Sequence, residues 1–294
     1  MKDTISLSVI TQTKNRAQLL EKCLSSLREQ LHWSDEIIIV DNNSKDNTQL
    51  IINKYKRILP IRAYKSGLSG YPYLYNFAIS KCRNPLLVFF DDDCVATHNF
   101  ISTIRKAYTK EQNFILQGKT LSLPRGNIFA EISEDHLSNW IQSNALGKNR
   151  LGVIDNRNVA IPMSIIREAG GFSPRMAVGS EDVELGMRFV RMGVPIVYDT
   201  GMVVYHHERT TLRSFLSQHY RIAKSHAVLD DRFSEGQNIS IINRYTLVRH
   251  LQSTLKRQFM YLQKRRYRDA FFLPFIYLLL VITRIVGYAS GKHE

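Results

Sequence analysis

Residues 86–94 read Leu-Leu-Val-Phe-Phe-Asp-Asp-Asp-Cys, five apolar residues that run straight into three carboxylates. The run is short and follows Asn84-Pro85, so it reads as a buried central strand and not as a helix. Asp91, Asp92 and Asp93 repel one another; they are tolerable at the solvent end of a strand, and more so beside a divalent cation. In an open α/β sheet, ligands sit just outside the carboxyl ends of the strands. The stretch is therefore a candidate site for a metal and a phosphorylated ligand. Its plain alternative is a solvated acidic turn.

The residues upstream say what kind of sheet this strand joins. Residues 5–10 read as a first strand and 11–15 as a polar loop. Leu19, Leu20, Cys23, Leu24 and Leu27 then form one face of a helix with Asn15 as its N-cap. Residues 36–40 are a continuous apolar strand ending in Asp41, and 48–56 an amphipathic helix. Strand, helix, strand, helix, with strands buried on both faces, is the pattern of a parallel sheet wound with helices. Asp41 stands where a strand empties into a polar turn, as Asp91 does. Asp46 and Asn47 are placed to cap the next helix, which leaves Asp41 to accept a hydrogen bond from a base or ribose.

The 294 residues suffice for one large α/β domain and an appendage, or for two small domains. A formal net charge of +14 points to a polyanionic partner: nucleic acid, an anionic membrane surface or a phosphorylated substrate. Cys23, Cys82 and Cys94 form no CxxC pair and read as buried thiols, neither a disulfide framework nor a zinc site. The N-terminus enters the first strand without a basic-then-apolar leader, and no GxGxxG follows that strand, which disfavours a dehydrogenase.

Three segments, Ser8-Val9-Ile10-Thr11-Gln12-Thr13-Lys14-Asn15-Arg16, Ile38-Ile39-Val40-Asp41-Asn42-Asn43-Ser44-Lys45-Asp46 and Phe90-Asp91-Asp92-Asp93, resemble in order and spacing the motifs of family 2 glycosyltransferases. The resemblance implies a GT-A fold, Rossmann-like and mostly parallel, over residues 1–228. It implies that Thr11 and Thr13 line the base pocket with Arg16 on the donor side, and that Asp41 reads the base. Asp91, Asp92 and Asp93 would meet ribose and, through Mg²⁺ or Mn²⁺, the diphosphate of a nucleotide-diphosphate sugar, with a UDP-sugar the first expectation. Asn76 matches the family's Ala-Arg-Asn triplet, but Tyr75 stands where Arg is usual. An Arg would make a bidentate phosphate contact that Tyr cannot, so Lys65 or Arg62 would have to replace it.

Further along, Gly170-Gly171-Phe172 resembles the turn before the acceptor site, which puts Gly171 and Phe172 on the acceptor side. Trp140 could stack on a sugar or be ordinary core. Glu181-Asp182 with Leu185 and Arg188 resembles the family's ED motif, with Asp182 as general base and Glu181 or Glu184 positioning acceptor or helix. Acidic residues at a helix start are also favoured by the dipole alone. His206, and after it His207, resemble the late metal-binding histidine, with Arg209 beside the diphosphate.

From residue 244 to 268 the chain is strongly basic, and 270–282 is almost wholly apolar. Such a run is short of the ~20 residues needed to span a bilayer, and Pro274 and Arg284 argue further against a straight span. A basic stretch beside an apolar helix reads as monotopic membrane contact; the alternative is a helix docked on the catalytic domain or on a second subunit. Residues 229–294 are thus a helical basic and apolar extension.

The resemblance and this tail together imply an inverting, metal-dependent glycosyltransferase, cytoplasmic and peripheral to the inner face of the plasma membrane. Its acceptor would be a glycan or a lipid-linked hydroxyl in envelope polysaccharide or glycolipid synthesis, with oligomerisation left open. Two other classes remain. A haloacid-dehalogenase-like phosphatase would use Asp91 and Asp93, but its motif normally follows the first strand of the domain. A nucleic-acid-binding protein would explain the charge, but that charge is concentrated in the tail without a binding motif, so nucleic acid is not an expected partner.

Overall fold

The computed structural model describes residues 5–109, 112–176, 179–233 and 244–292. Residues 234–243 of the expected C-terminal extension lie outside the described residues. The chain divides into two units. The first comprises Met1–Leu123, Ile141–Ala177 and Glu181–His207, the second Pro124–Trp140, Val178–Ser180 and Glu208–Glu294.

The first unit opens with β1 (Leu7–Thr13), α1 (Ala17–Leu27), β2 (Glu36–Asp41), α2 (Thr48–Tyr55), β3 (Ile61–Lys65), α3 (Tyr71–Lys81) and β4 (Leu86–Phe89). β1 pairs in parallel with both β2 and β4, and β2 with β3, which is the wound parallel half expected from the sequence. The period-2 alternation of these strands feeds two cores. Leu7, Val9, Ile37, Ile39 and Val88 face Leu20, Cys23, Leu24 and Leu27 of α1. Ile10, Ile38, Val40 and Phe89 face Leu74, Tyr75 and Ala78 of α3. Each fully buried aliphatic side chain contributes about 1.5–3 kcal/mol relative to exposure, so the strand register is strongly specified.

The chain continues through β5 (Cys94–Ala96), α4 (Phe100–Ala107), β6 (Ile115–Leu123), α5 (Ile128–Ser143), β7 (Ala145–Gly147), β8 (Arg150–Leu151), β9 (Val159–Pro162), α6 (Met163–Glu168), α7 (Glu181–Arg191) and β10 (Ile196–His207). Among the described residues the strands form one sheet in the order β3-β2-β1-β4-β9-β6-β10-β8-β7, with β5 on β10. β9 runs antiparallel to both β4 and β6, so the sheet is mixed beyond β4.

The second unit contains residues 128–140 of α5 with α8 (Leu212–Phe233), α9 (Arg244–Gln263) and α10 (Tyr267–Gly291). Its core joins Ile132, Phe215, Tyr261, Leu273, Ile276 and Leu280.

Asn15 does not cap α1. It takes the left-handed conformation, φ 53°, and the N-cap position falls to Arg16, which makes no side-chain cap. The loops after β1 and β2 are instead tied to each other. The Asn15 N–H donates to Ser44 Oγ at 2.9 Å, and the Lys45 N–H donates to Asn15 Oδ1 at 2.6 Å. Asp46 accepts from the Ala17 N–H at 3.0 Å and from the Thr48 N–H at 3.1 Å, so one carboxylate serves the first turns of two helices.

Candidate active site

The carboxyl ends of β1, β2 and β4 lie side by side, with Thr13 level with Asp41 and Ile10 level with Phe89. Thr11 is fully buried and donates its hydroxyl to the Phe90 carbonyl at 2.9 Å, so it ties two strand ends together. Asp41, also buried, accepts the Ser44 N–H at 3.0 Å.

The acidic triplet follows β4. Arg16 Nη1 lies 2.8 Å from Asp92 Oδ1 and 2.7 Å from Asp93 Oδ2, bridging the two carboxylates. Asp92 and Asp93 hold the guanidinium protonated against the burial that would lower it. His206 Nε2 sits 3.2 Å from Asp93 Oδ1, and the His207 N–H donates to the Asp93 carbonyl at 2.8 Å. The antiparallel pairing of β5 with β10, His206 opposite Cys94, produces both contacts. Tyr75, in the place of the family's arginine, donates its hydroxyl to Asp91 Oδ1 at 3.2 Å. Burial first, then Asp93 and Asp92, push Asp91 up to about 7, while His206 opposes them. Burial also pushes Asp92 up to about 6, Arg16 working against it. Burial is the largest cause of both shifts.

Among the described residues, no three His, Cys, Asp or Glu side chains are arranged to hold a metal ion. Asp93 and His206 are two such side chains in contact, and the positive charge between Asp92 and Asp93 is the guanidinium of Arg16.

A second acidic group forms at the start of α7. Asp182 is half-buried and accepts the Val183 N–H at 2.8 Å. Burial and then Asp155 push it up to about 6, while the Val183 N–H, Arg157 and the Asn156 N–H oppose the rise. Glu181 is buried, and burial, Asp182 and Asp91 all push it upward. The charge of Asp91 thus acts on Glu181, and that of Asp155 pushes Asp91 upward.

Asp155, Asn156 and Arg157 were not foreseen from the sequence. Arg157 Nε holds both oxygens of Asp155, at 2.9 and 3.1 Å. Gln117 fixes the loop, accepting the Asp155 N–H at 2.7 Å and donating to the Asn158 carbonyl at 2.9 Å. The usable signal was a polar run before an apolar strand, since β9 is antiparallel and brings its preceding loop to this edge.

The Gly-Gly-Phe turn is held from two sides. Gly170 and Gly171 take φ 77° and 75°, a region costly for other L-residues. Asn76 Nδ2 donates to the Phe172 carbonyl and Asn76 Oδ1 accepts the Phe172 N–H, both at 2.8 Å. Arg188 reaches the Gly171 carbonyl at 2.8 Å while its Nε and Nη2 grip Glu184, both at 2.7 Å. Asn76 thus meets the turn and Glu184 meets Arg188. Phe172 is a core residue, 1% exposed and stacked on Tyr75 at 4.8 Å, so it does not itself present a surface to an acceptor. Asn76→Ala removes both hydrogen bonds from a buried backbone. It is expected to cost about 1–3 kcal/mol, seen as a lower midpoint in urea at unchanged slope.

Lys65 is exposed at the carboxyl end of β3. Arg62 cannot replace the missing arginine, because it lies at the other end of the strand, 2.6 Å from Glu36 and 2.7 Å from the Lys81 carbonyl. Trp140, half-buried on α5, and Arg209 fall in the second unit. Cys23, Cys82 and Cys94 are all buried free thiols.

The fold is GT-A, and this class of protein is a glycosyltransferase. A solved mannosyltransferase, PcManGT from Pyrobaculum calidifontis in complex with GDP-Man and Mn²⁺, matches with a TM-score of 0.70. That match has 15% identity and covers 98% of this chain and 86% of that one. The profile of Glycosyl transferase family 2 matches residues 8–162, and that of Glycosyl transferase family group 2 matches residues 86–289. The chain belongs to glycosyl transferase family 2. It is 21% identical to the O-antigen chain rhamnosyltransferase RfbN of Salmonella typhimurium over 302 residues, 98% of this chain and 90% of that protein. To the O-antigen biosynthesis protein RfbC of Myxococcus xanthus it is 24% identical over 234 residues, 73% of this chain but only 18% of that protein. The phosphatase alternative falls with this membership, and the acidic triplet follows the fourth strand in chain order.

Proposed function

We propose that this chain transfers a sugar, with inversion, from a nucleotide-diphosphate donor to a hydroxyl of a glycan or lipid-linked acceptor in cell-envelope polysaccharide or glycolipid synthesis. The observation that carries the proposal is the placement of Asp93 between Arg16 and His206 after β4, with Asp182 at the start of α7, in a chain of glycosyl transferase family 2. A half-buried carboxylate pushed up to about 6, as Asp182 is, is ionised at neutral pH yet basic enough to take a proton.

Asp41 would accept an N–H of the base, uracil first, with Thr13 beside it, and Asp91 and Asp92 would meet the ribose. Asp93 and His206, already in contact, would hold Mg²⁺ or Mn²⁺ if Asp91 joins them, since two carboxylates and an imidazole suit either ion. Such an ion supplies neutralisation of the charge that grows on the departing diphosphate. Asp182 takes the proton of the acceptor hydroxyl. The acceptor oxygen bonds to the anomeric carbon as the bond to the diphosphate breaks, its electron pair leaving with that group. Burial and the neighbouring Asp182 push Glu181 upward. The O-antigen names of the relatives and the basic extension support an envelope acceptor at the inner face of the plasma membrane.

The test is thermal stabilisation by UDP, GDP, dTDP, CDP and ADP, each with and without Mn²⁺. One base stabilising only with metal supports the donor reading; no shift with any base overturns it. Two further outcomes are expected. Transfer should fall about tenfold per pH unit below about 6, because Asp182 is active only when deprotonated and acid protonates it. Arg16→Gln leaves Asp92 and Asp93 without their counterion. It should destabilise the metal-free protein by on the order of 2 kcal/mol and tighten Mn²⁺ binding in calorimetric titration.

A further inference from the structure

The second unit has its polarity reversed along one side. Glu131 accepts from Tyr261, from Arg266 at 2.8 Å and from Arg257 at 3.2 Å, and Asp135 pairs with Arg257. These partners fix α9 and the start of α10 from within. α10 is clamped to α8 through its small residues. An added Cβ on Gly287 would lie 2.5 Å from the Tyr220 carbonyl, and one on Gly291 would meet that of Lys224. The Gly287-Tyr288-Ala289-Ser290-Gly291 spacing, a motif for close helix approach, is thus used inside the chain.

Among the described residues the opposite side of α10 has no such cover. Phe271, Phe272, Phe275, Leu278, Ile282 and Ile285 are 47–64% exposed, and Phe259 of α9 is 62% exposed. Arg284 is the one charged residue in the sequence from Ala270 to Gly291, and it lies close enough to the buried His226 of α8 to act on it. The outward side of α10 therefore offers water aromatic and aliphatic groups over several turns and no charge. A contiguous exposed patch of this kind marks an interaction site. At its edge, in and around the turn from α9 to α10, Lys256, Lys264, Arg265 and Arg268 are exposed.

We infer that this side of α9 and α10 docks in the plane of an anionic lipid surface. The apolar side chains enter the boundary between headgroups and acyl chains, and Lys256, Lys264, Arg265 and Arg268 sit among the headgroups. Basic residues rimming an apolar aromatic face are the complement of that surface. α10 is 25 residues long and apolar enough to cross a membrane. It does not cross here, because α8, packed along it, carries Arg213, Arg221, Lys224, Asp230 and Asp231, which a crossing would bring into hydrocarbon. The inference deepens the lipid-linked reading of the acceptor and rests on it for its purpose, while its test needs neither donor nor acceptor.

The test uses the full chain with vesicles of phosphatidylcholine alone or mixed with phosphatidylglycerol, read by co-sedimentation. Affinity for the anionic vesicles should exceed that for the neutral ones by at least about tenfold and fall with salt. Phe272→Glu with Phe275→Glu should abolish it with circular dichroism and nucleotide-dependent stabilisation unchanged. Hydrogen exchange on the unaltered chain should show protection of the Tyr267–Gly291 amides on vesicle addition, which keeps the test decisive if the double variant does not fold. Equal binding to both vesicle types, no binding, or no added protection overturns the inference. A dimer in light scattering that the double variant dissociates also overturns it, assigning the face to a second copy.

Discussion

Asp182→Asn is expected to lower kcat by about 10²–10⁴-fold while leaving the KM for donor close to that of the unaltered chain. The carboxamide matches the carboxylate in size, and its oxygen still accepts the Val183 N–H, so the start of α7 keeps its geometry. What it loses is the capacity to take a proton. The acid limb of the pH profile near 6 should disappear with it, since the residual rate no longer depends on that ionisation. Metal-dependent stabilisation by the nucleotide should be retained. A variant with near-normal kcat would remove Asp182 from the chemistry, and Asp155, its largest charged neighbour, would become the residue to replace.

Asp93→Ala is expected to abolish metal-dependent binding of the nucleotide diphosphate. At a ligand concentration of 100 times Kd the unaltered chain gains about 2.7 kcal/mol, several degrees in Tm, and the variant should gain close to none. Asp93 meets Arg16 at 2.7 Å on one oxygen and His206 at 3.2 Å on the other. Its removal therefore takes one of two carboxylate partners from Arg16 and the Asp93 contact from His206. Asp93→Asn keeps the volume and separates loss of charge from loss of packing: both variants should fail to respond to Mn²⁺, but only the alanine variant should lose folding stability appreciably. Retained Mn²⁺ dependence in both would place the ion elsewhere.

The parallel half of the sheet was legible because each strand there is a continuous apolar run with its polar residues after it. Asp41 and Asp91–Asp93 announce themselves that way. The same rule hid Asp155 and Arg157, because β9 enters the sheet in the opposite direction and its site residues come before the apolar run. α5 was not assigned because its charges, Glu131 and Asp135, find their partners at Arg257 and Arg266, more than a hundred residues downstream. No local window contains both halves of that pairing. α10 continues past its apolar run through Arg284, whose charge acts on the buried His226 of α8, a partner that no local window contains. Asn15 was misplaced as a cap because its partner, the loop after β2, is distant in sequence.

The mutual bonding of Asn15, Ser44, Lys45 and Asp46 has a bearing on how this enzyme could change its donor. The two loops that flank Asp41 are a single heritable block. Transplanting the first from a relative that lacks Asn15 strands the Lys45 N–H without its acceptor, and transplanting the second alone from one that lacks Ser44 and Asp46 strands the Asn15 and Ala17 N–H groups. Donor preference would drift only when both loops change together, so chimaeras exchanging residues 11–17 and 41–48 as one cassette should fold where either half alone is penalised.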